Sequence, residues 1–195
     1  MDTQSRALRR AVILVALCNF AYFFVEFAVA RRIGSVSLFA DSIDFLEDAS
    51  VNFLVLVALG WSVRRRAGVG MLLAVLLLVP GLATAWMAWR KFQLPLPPAE
   101  LALSATGLGA LVVNLGCAFM LVRVRDVAGS LSRAAFLSAR NDALANLAII
   151  AAGIATFFWV SAWPDLIVGI GIFALNLGAA HEVFEAARRE VRDTA

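Results

Sequence analysis

Hydrophobic runs of about 20 residues recur six times along the chain, and short segments rich in arginine, proline or glycine separate them. A helix needs about 20 apolar residues to cross the hydrocarbon core of a bilayer. We therefore predict six transmembrane helices, over residues 11–30, 35–62, 69–89, 101–122, 134–160 and 164–185. The pattern indicates an all-α membrane protein whose residues 1–195 form a single transmembrane domain.

The first predicted span has a second interpretation, as a secretory signal peptide. Arginines precede it, and Ala28, Val29 and Ala30 resemble a signal-peptidase site. The apolar run is long for a signal peptide, however, and it contains Asn19 and Glu26. We therefore predict that it is retained as a helix.

Composition supports the membrane interpretation, because 62% of the residues are hydrophobic, whereas soluble domains are about half apolar. Six spans place both termini on one side, together with twelve arginines; the other side has four basic residues, Arg31, Arg32, Arg90 and Lys91. The positive-inside rule predicts that both termini are cytoplasmic in a protein of the cell (inner) membrane. The net charge of +3 is explained by this topology, and we expect no nucleic-acid partner.

The second predicted span contains acidic residues, which are costly to place within a membrane. Residues 37–52 of this mostly apolar chain contain four acids, namely Asp41, Asp44, Glu47 and Asp48. At about 100° per residue, Asp41, Asp44, Asp48 and Asn52 share one helix face, with Glu47 to the side. Each acid at a bilayer centre costs roughly 2.5 to 3.5 kcal/mol. The acidic face must therefore meet other helices, water, protons or a cation.

The fifth span repeats this polar spacing. Ser138, Asp142 and Asn146 are four residues apart, as are Asp44, Asp48 and Asn52. With three spans in each half, the halves have opposite orientations. The spacing therefore predicts a 3+3 inverted repeat, a transporter design whose site lies at the repeat interface.

Taken in order, these motifs resemble the cation diffusion facilitator family of divalent-metal/proton antiporters. The matching features extend over nearly the whole chain: Asn19 and Glu26, the segment from Gly34 to Asp41, Asp44 to Asp48, Asn114, Ser138 to Asn146, and Trp163 to Asp165. The resemblance implies a secondary transporter rather than an enzyme. It also implies one tetrahedral metal site, to which the second and fifth helices each give two residues spaced by four.

Carried over, the resemblance implies that the metal site consists of Asp44, Asp48, Ser138 and Asp142. Ser138 departs from the family, which has His or Asp at that place, and a neutral serine is a poor zinc ligand. The fourth ligand is therefore a water molecule or the side chain of Asn141. Asp41 and Glu47 are secondary candidates.

The resemblance also concerns the metal and the assembly. It favours Zn²⁺ as the transported ion, with Cd²⁺, Co²⁺, Fe²⁺ and Mn²⁺ as alternatives, although an all-oxygen shell by itself suits harder ions such as Mn²⁺. The metal is cargo, and we expect no resident cofactor. The chain ends soon after the sixth span, as in a short subclass that lacks the C-terminal cytoplasmic metal-binding domain. We expect any homodimer to form through the membrane helices within the lipid bilayer.

Other classes of protein also place acids in membranes. An intramembrane aspartyl protease would use Asp48 and Asp142 as an acid/base pair, but its Gly-x-Gly-Asp element is absent, since Ile172 follows Gly171. A small-molecule/proton antiporter needs only one carboxylate, and a metal sensor would need a signalling domain.

Four further polar residues complete the picture. We interpret Glu26 as a buried structural acid, Arg140 as pointing away from the site, and His181 as an interfacial residue or a metal-capture group. Asp165 follows Pro164 at the start of the sixth span, where the positive end of the helix dipole favours an acid.

Overall fold

The computed structural model describes residues 3–58, 63–122 and 130–193. These residues form six helices and no strand, which confirms the predicted all-α fold with six helices. The helices are α1 (Thr3–Ile33), α2 (Val36–Ala58), α3 (Val63–Gln93), α4 (Glu100–Val122), α5 (Ser130–Phe158) and α6 (Trp163–Asp193). The predicted end of the second span, at 59–62, and most of the loop before α5 lie outside the described residues.

Several helices extend beyond the apolar runs that predicted them. The first helix begins at Thr3 rather than 11, and the last continues to Asp193 rather than 185. Hydropathy marks where the apolar run ends, but charged residues such as arginine and glutamate are good helix formers. The backbone hydrogen bonds therefore continue past the predicted membrane boundary.

A single glycine allows the reversal between α1 and α2. Gly34 has a φ of 66°, in the left-handed region that favours glycine. The backbone N–H of Ser35 then donates to the carbonyl of Ala30 at 3.0 Å, as at many helix C-termini. The helices on either side consequently become close antiparallel neighbours.

The acidic helix α2 lies among the other helices rather than apart from them. It packs extensively against α1 and α6, and it also contacts α3, α5 and α4. The start of α2 is the most enclosed part of the described chain, since residues 35–43 are all buried. This packing agrees with the expectation that the acidic face of α2 is shielded by other helices.

Two helix pairs, α1 with α2 and α4 with α5, form the largest contacts in the described protein. Two inverted repeats would pack in this way, and the repeat itself stays a prediction. The α4–α5 contact depends on small residues. A Cβ at Gly153 would collide with Ser104 and approach the backbone of α4, and a Cβ at Gly107 would meet Ile149 at 2.8 Å. Such close approach is typical of helix pairs in membranes.

The described surface is apolar and much of the interior is polar, the reverse of a soluble protein. Large hydrophobic side chains are exposed along the helices, for example Leu101 at 79% and Phe157 at 65%. In contrast, polar side chains such as Asn19, Glu26 and Asn146 are exposed by 1% or less. Three stretches, Ala7–Ile33, Glu100–Val122 and Asn141–Phe158, are long and apolar enough to cross a membrane. The surface therefore suits contact with lipid.

Contacts at one end of the bundle show which ends of the helices lie together. Lys91, near the end of α3, donates to the carbonyl of Gly34 after α1 and forms an ion pair with Asp165 at the start of α6, both at 2.7 Å. The ends of α1 and α3 and the start of α6 therefore meet. The start of α1 and the end of α6 lie at the opposite end. We call these two ends of the bundle the far end and the terminal end.

Candidate functional site

A cavity of about 510 Å³ lies between α2, α5 and α6. Three acids of α2 line it, Asp44, Glu47 and Asp48, and α5 contributes Asn141 and Asp142. The wall formed by α6 is mostly apolar, with Val168, Gly171, Ile172, Leu175 and Asn176. The cavity therefore has an acidic side made by two helices and an aliphatic side made by the third.

Four of the five primary candidates from the sequence are brought to this one cavity: Asp44, Asp48, Asn141 and Asp142. The fifth, Ser138, lies in α5 one turn before Asp142, and its side chain lies outside the described residues. Glu47, a secondary candidate, also lines the cavity, although the helical projection placed it to the side of the acidic face.

Asp41, the other secondary candidate, does not line the cavity. Its side chain is fully buried, and its Oδ2 accepts a hydrogen bond from Asn146 of α5 at 2.7 Å. The Asn146 Oδ1 in turn accepts from Asn114 of α4 at 3.2 Å. Asp41 therefore belongs to a buried polar chain that joins α2, α5 and α4.

The acids that line the cavity are neighbours, but they do not close on one point. Among the described side chains, no group of three His, Cys, Asp or Glu residues lies close enough together to hold a metal ion. Metal–oxygen bonds are only about 2.0 to 2.6 Å long. The conformation described is therefore an open cavity with acidic walls rather than a closed coordination shell.

A polar contact also joins one of the cavity acids, Asp48, to α1. The Asn19 Nδ2 of α1 donates to the Asp48 Oδ2 at 3.5 Å, and the Cys117 Sγ of α4 donates to the Asn19 Oδ1 at 3.6 Å. Both contacts are long, but Asn19 is only 1% exposed. Asn19 and Asn114 belong to the sequence motif, and the structure gives each of them a hydrogen-bonding partner.

Glu26 is buried as expected, but the packing around it is unusual. Its side chain is fully buried beside the carboxylate of Asp41, and the two acids interact directly. Apart from each other, the Glu26 oxygens and the Asp41 Oδ1 have no hydrogen-bond partner in the described structure. The side chains of Arg140 and His181 lie outside the described residues, so their predicted roles stay predictions.

The sequence did not reveal the contacts of Asp165. Its position after Pro164 suggested an acid that stabilises the start of its own helix. Instead, the fully buried carboxylate reaches α2, where it accepts hydrogen bonds from the backbone N–H groups of Val36 and Ser37 at 2.9 and 3.1 Å. The partners are about 130 positions away, so only a repeated serine near Gly34 could have drawn attention to this contact.

The fold and the cavity together define a class: an integral membrane protein of six helices with carboxylates around an internal cavity. The family profile of the cation efflux transmembrane domain matches residues 12–190. The chain belongs to the cation efflux family, and the protein is a divalent-cation efflux transporter. This match confirms the resemblance seen in the sequence. It also argues against the alternative of an intramembrane protease, since the members of this family are transporters. The search of curated proteins found no match.

Proposed function

We propose that the protein exports divalent transition-metal ions from the cytoplasm in exchange for protons, and that the metal binds between α2 and α5. The observation that supports this most directly is the single cavity shared by Asp44 and Asp48 of α2 and by Asn141 and Asp142 of α5. Acidic side chains within a bundle of membrane helices are otherwise costly, and they commonly mark ion pathways.

Carboxylates are suited to the exchange of metal for protons because the same oxygens bind both ions. Divalent metals bind the ionised form, and protons compete for the same oxygens, so that metal binding releases protons. An inward proton gradient then supplies about 1.4 kcal/mol per proton for each unit of pH difference. Loading on one side and displacement by protons on the other side together produce export.

In the proposed site, Asp44, Asp48 and Asp142 are the metal ligands, and Ser138, Asn141 or a water molecule completes the shell. The cavity volume of about 510 Å³ leaves room for several waters, each of which occupies about 30 Å³ in the liquid. The metal therefore enters partly hydrated, and closure of α2 on α5 would draw the aspartates together. Glu47, on the same wall, would assist capture, whereas Asp41 supports the site through Asn146.

We propose Zn²⁺ as the main cargo, with Cd²⁺, Co²⁺, Fe²⁺ and Mn²⁺ as further substrates, on the strength of the family. We also propose that both termini face the cytoplasm in the cell (inner) membrane, because twelve arginines belong to the sequence segments that the six spans assign to the side of the termini. A homodimer, if formed, would use the exposed membrane faces of the helices.

Transport into proteoliposomes with a trapped pH-sensitive dye tests this proposal. Each metal is added in turn to wild type and to Asp48→Ala and Asp142→Ala. We expect metal-dependent proton movement in the wild type and its loss in both variants, because each variant lacks a cavity carboxylate.

Glu100→Gln is the matched control, since it removes an acid at the far end of the bundle, away from the cavity. It should transport as the wild type does. Folded, inserted wild-type protein that moves no protons with any metal would disprove proton exchange, and unchanged transport by both aspartate variants would disprove the site.

A further inference from the structure

At the far end of the bundle, one buried carboxylate joins α6 to α2 and α3. Both oxygens of Asp165 are engaged: Oδ1 accepts from the hydroxyls of Ser35 and Ser37, each at 2.6 Å, and from the Ser37 N–H, while Oδ2 accepts from the Val36 N–H and pairs with Lys91. Asp165 is fully buried, and Lys91 is only 7% exposed. We call these five residues the Asp165 clamp.

The clamp joins two groups of helices. Asp165 begins α6 and Lys91 ends α3, and these two helices pack against each other. The serines and Val36 belong to the start of α2, next to the α1–α2 turn, and Lys91 also binds the carbonyl of Gly34 in that turn. Charged groups make stronger hydrogen bonds than neutral ones, and the unpaired N–H groups at the start of α2 favour an anion. The clamp therefore fixes α3 and α6 to α1 and α2 at this end.

The Asp165 clamp lies between the acidic cavity and the far end of the bundle. The cavity wall nearest the far end includes Val168, about one helical turn from the fully buried Asp165. Toward the terminal end, the lining includes Asn141, which is exposed. The clamp and its close packing therefore lie between the acids and the far side of the bundle.

The tightness of this closure depends on Gly169. A Cβ at that position would lie 2.7 Å from a Val36 methyl group and 2.8 Å from the Ser37 nitrogen. Only a glycine lets α6 approach the start of α2 closely enough for Asp165 to reach the backbone N–H groups. Gly169 thus offers a way to separate the two helices without any change of charge.

We propose that the Asp165 clamp is the far-side gate of the transporter, and that α3 and α6 must leave the start of α2 before the cargo is released there. This inference rests on the proposed alternating access between the two sides of the membrane. It assigns to Asp165 a gating role, distinct from the role of the acids that line the cavity.

Labelling of a reporter cysteine tests the gate. The reporter is Val168→Cys, in a background of Cys18→Ala and Cys117→Ser, and the probe is a charged, membrane-impermeant methanethiosulfonate reagent applied to either side of oriented, sealed vesicles. With the clamp intact, we expect rapid labelling from the terminal side and slow labelling from the far side. Asp165→Asn and Gly169→Ala should each raise the far-side rate about tenfold or more, because each weakens the contact between α6 and α2.

Two controls match these variants. Gly178→Ala adds a methyl group to the same helix, at a glycine where a Cβ meets nothing within 4 Å, and Glu100→Gln removes an acid outside the clamp at the same end. Both should label as the parent does. If Asp165→Asn fails to fold, Lys91→Gln replaces it, since it removes the ion pair and leaves the serine contacts in place.

A far-side rate that stays at the parental level in either folded clamp variant would overturn the proposal, as would an equal rise in the two controls. The labelling requires neither metal nor a proton gradient, so it can succeed or fail independently of the proposed exchange. In proteoliposomes, gating variants should lose tight coupling but still bind metal, whereas loss of Asp48 or Asp142 should abolish binding itself.

Discussion

Two aspartates on the same face of α2 have different environments. On a helical projection, Asp41 and Asp48 are almost superimposed, yet Asp41 is bonded to Asn146 while Asp48 lines the cavity. The difference arises from the neighbouring helices, since Asn146 of α5 donates to Asp41 and Asn114 of α4 in turn donates to Asn146. Spacing within one helix identified the acidic face, but it could not identify which acid each neighbouring helix covers.

Asp165 illustrates the same limit more sharply. Proline and aspartate at a helix start form a common local signal, and that signal predicted the helix boundary well. The contacts with Ser35, Ser37 and Lys91 depend on how three segments that are distant in sequence assemble. Nothing within one segment contains that information.

Substitution of Asn19 tests whether its hydrogen bond to Asp48 helps the metal to bind. We expect Asn19→Ala to weaken metal binding by roughly tenfold, because loss of a group that orients a ligand typically reduces affinity by about 10- to 100-fold. Titration calorimetry measures the affinity, and the unfolding midpoint of the same sample in detergent separates binding from stability.

The matched control is Asn114→Ala, which removes another buried asparagine that donates a hydrogen bond to Asn146 rather than to a cavity acid. It should weaken metal binding less than Asn19→Ala does. Equal affinities in the wild type and Asn19→Ala would show that Asp48 needs no support from α1.

At the scale of helices, apolar periodicity and length were sufficient to predict all six elements. The bounds differ mainly at charged ends, such as the start of α1 and the end of α6, where the helices continue after the apolar run stops. Asp48 and Asp142, which the family resemblance implied as ligands of one metal site, line the same cavity, and their binding of metal stays a prediction. The contribution of α6 was not foreseen, because its wall of the cavity is mostly aliphatic and resembles any lipid-facing segment.

The turn between α1 and α2 makes a testable contribution to stability. Gly34→Ala should lower the free energy of unfolding by about 1 to 2 kcal/mol, since a side chain is disfavoured at positive φ. Gly116→Ala is the control, because it lies within α4 and a Cβ there meets nothing within 4 Å. Thermal unfolding in detergent should therefore show a lower midpoint for the first variant only. Equal midpoints for the two variants would mean that the turn adopts another backbone conformation.

For the whole molecule, the arrangement suggests two moving parts. The pairs α1 with α2 and α4 with α5 are broadly packed, and α3 packs with α6 on the other side of α2. The cavity lies between these parts, where α6 faces the acids of α2 and α5. Movement of α3 and α6 would therefore change access to the acids.

Competition between metal and protons should be visible for the whole protein. We expect metal affinity to fall as the solution is acidified from about pH 8 to about pH 6, because protons occupy the carboxylates that bind metal. Calorimetry in buffers of different ionisation enthalpy should show proton release on metal binding, with less release in Asp142→Asn. Affinity and heat that are independent of pH and buffer would indicate a metal site without proton exchange.

The ion pair of Lys91 and Asp165 also constrains how the chain is made. The two residues are 74 positions apart, and both side chains are buried in the finished protein. During synthesis, α3 inserts with its lysine well before the acid that neutralises it has left the ribosome. Until then, we expect the lysine to stay at the membrane surface, since long basic side chains near helix ends reach water and lipid headgroups there. The first half of the protein therefore obtains the partner of its buried lysine only when α6 inserts. Assembly of both halves finishes with the last helix.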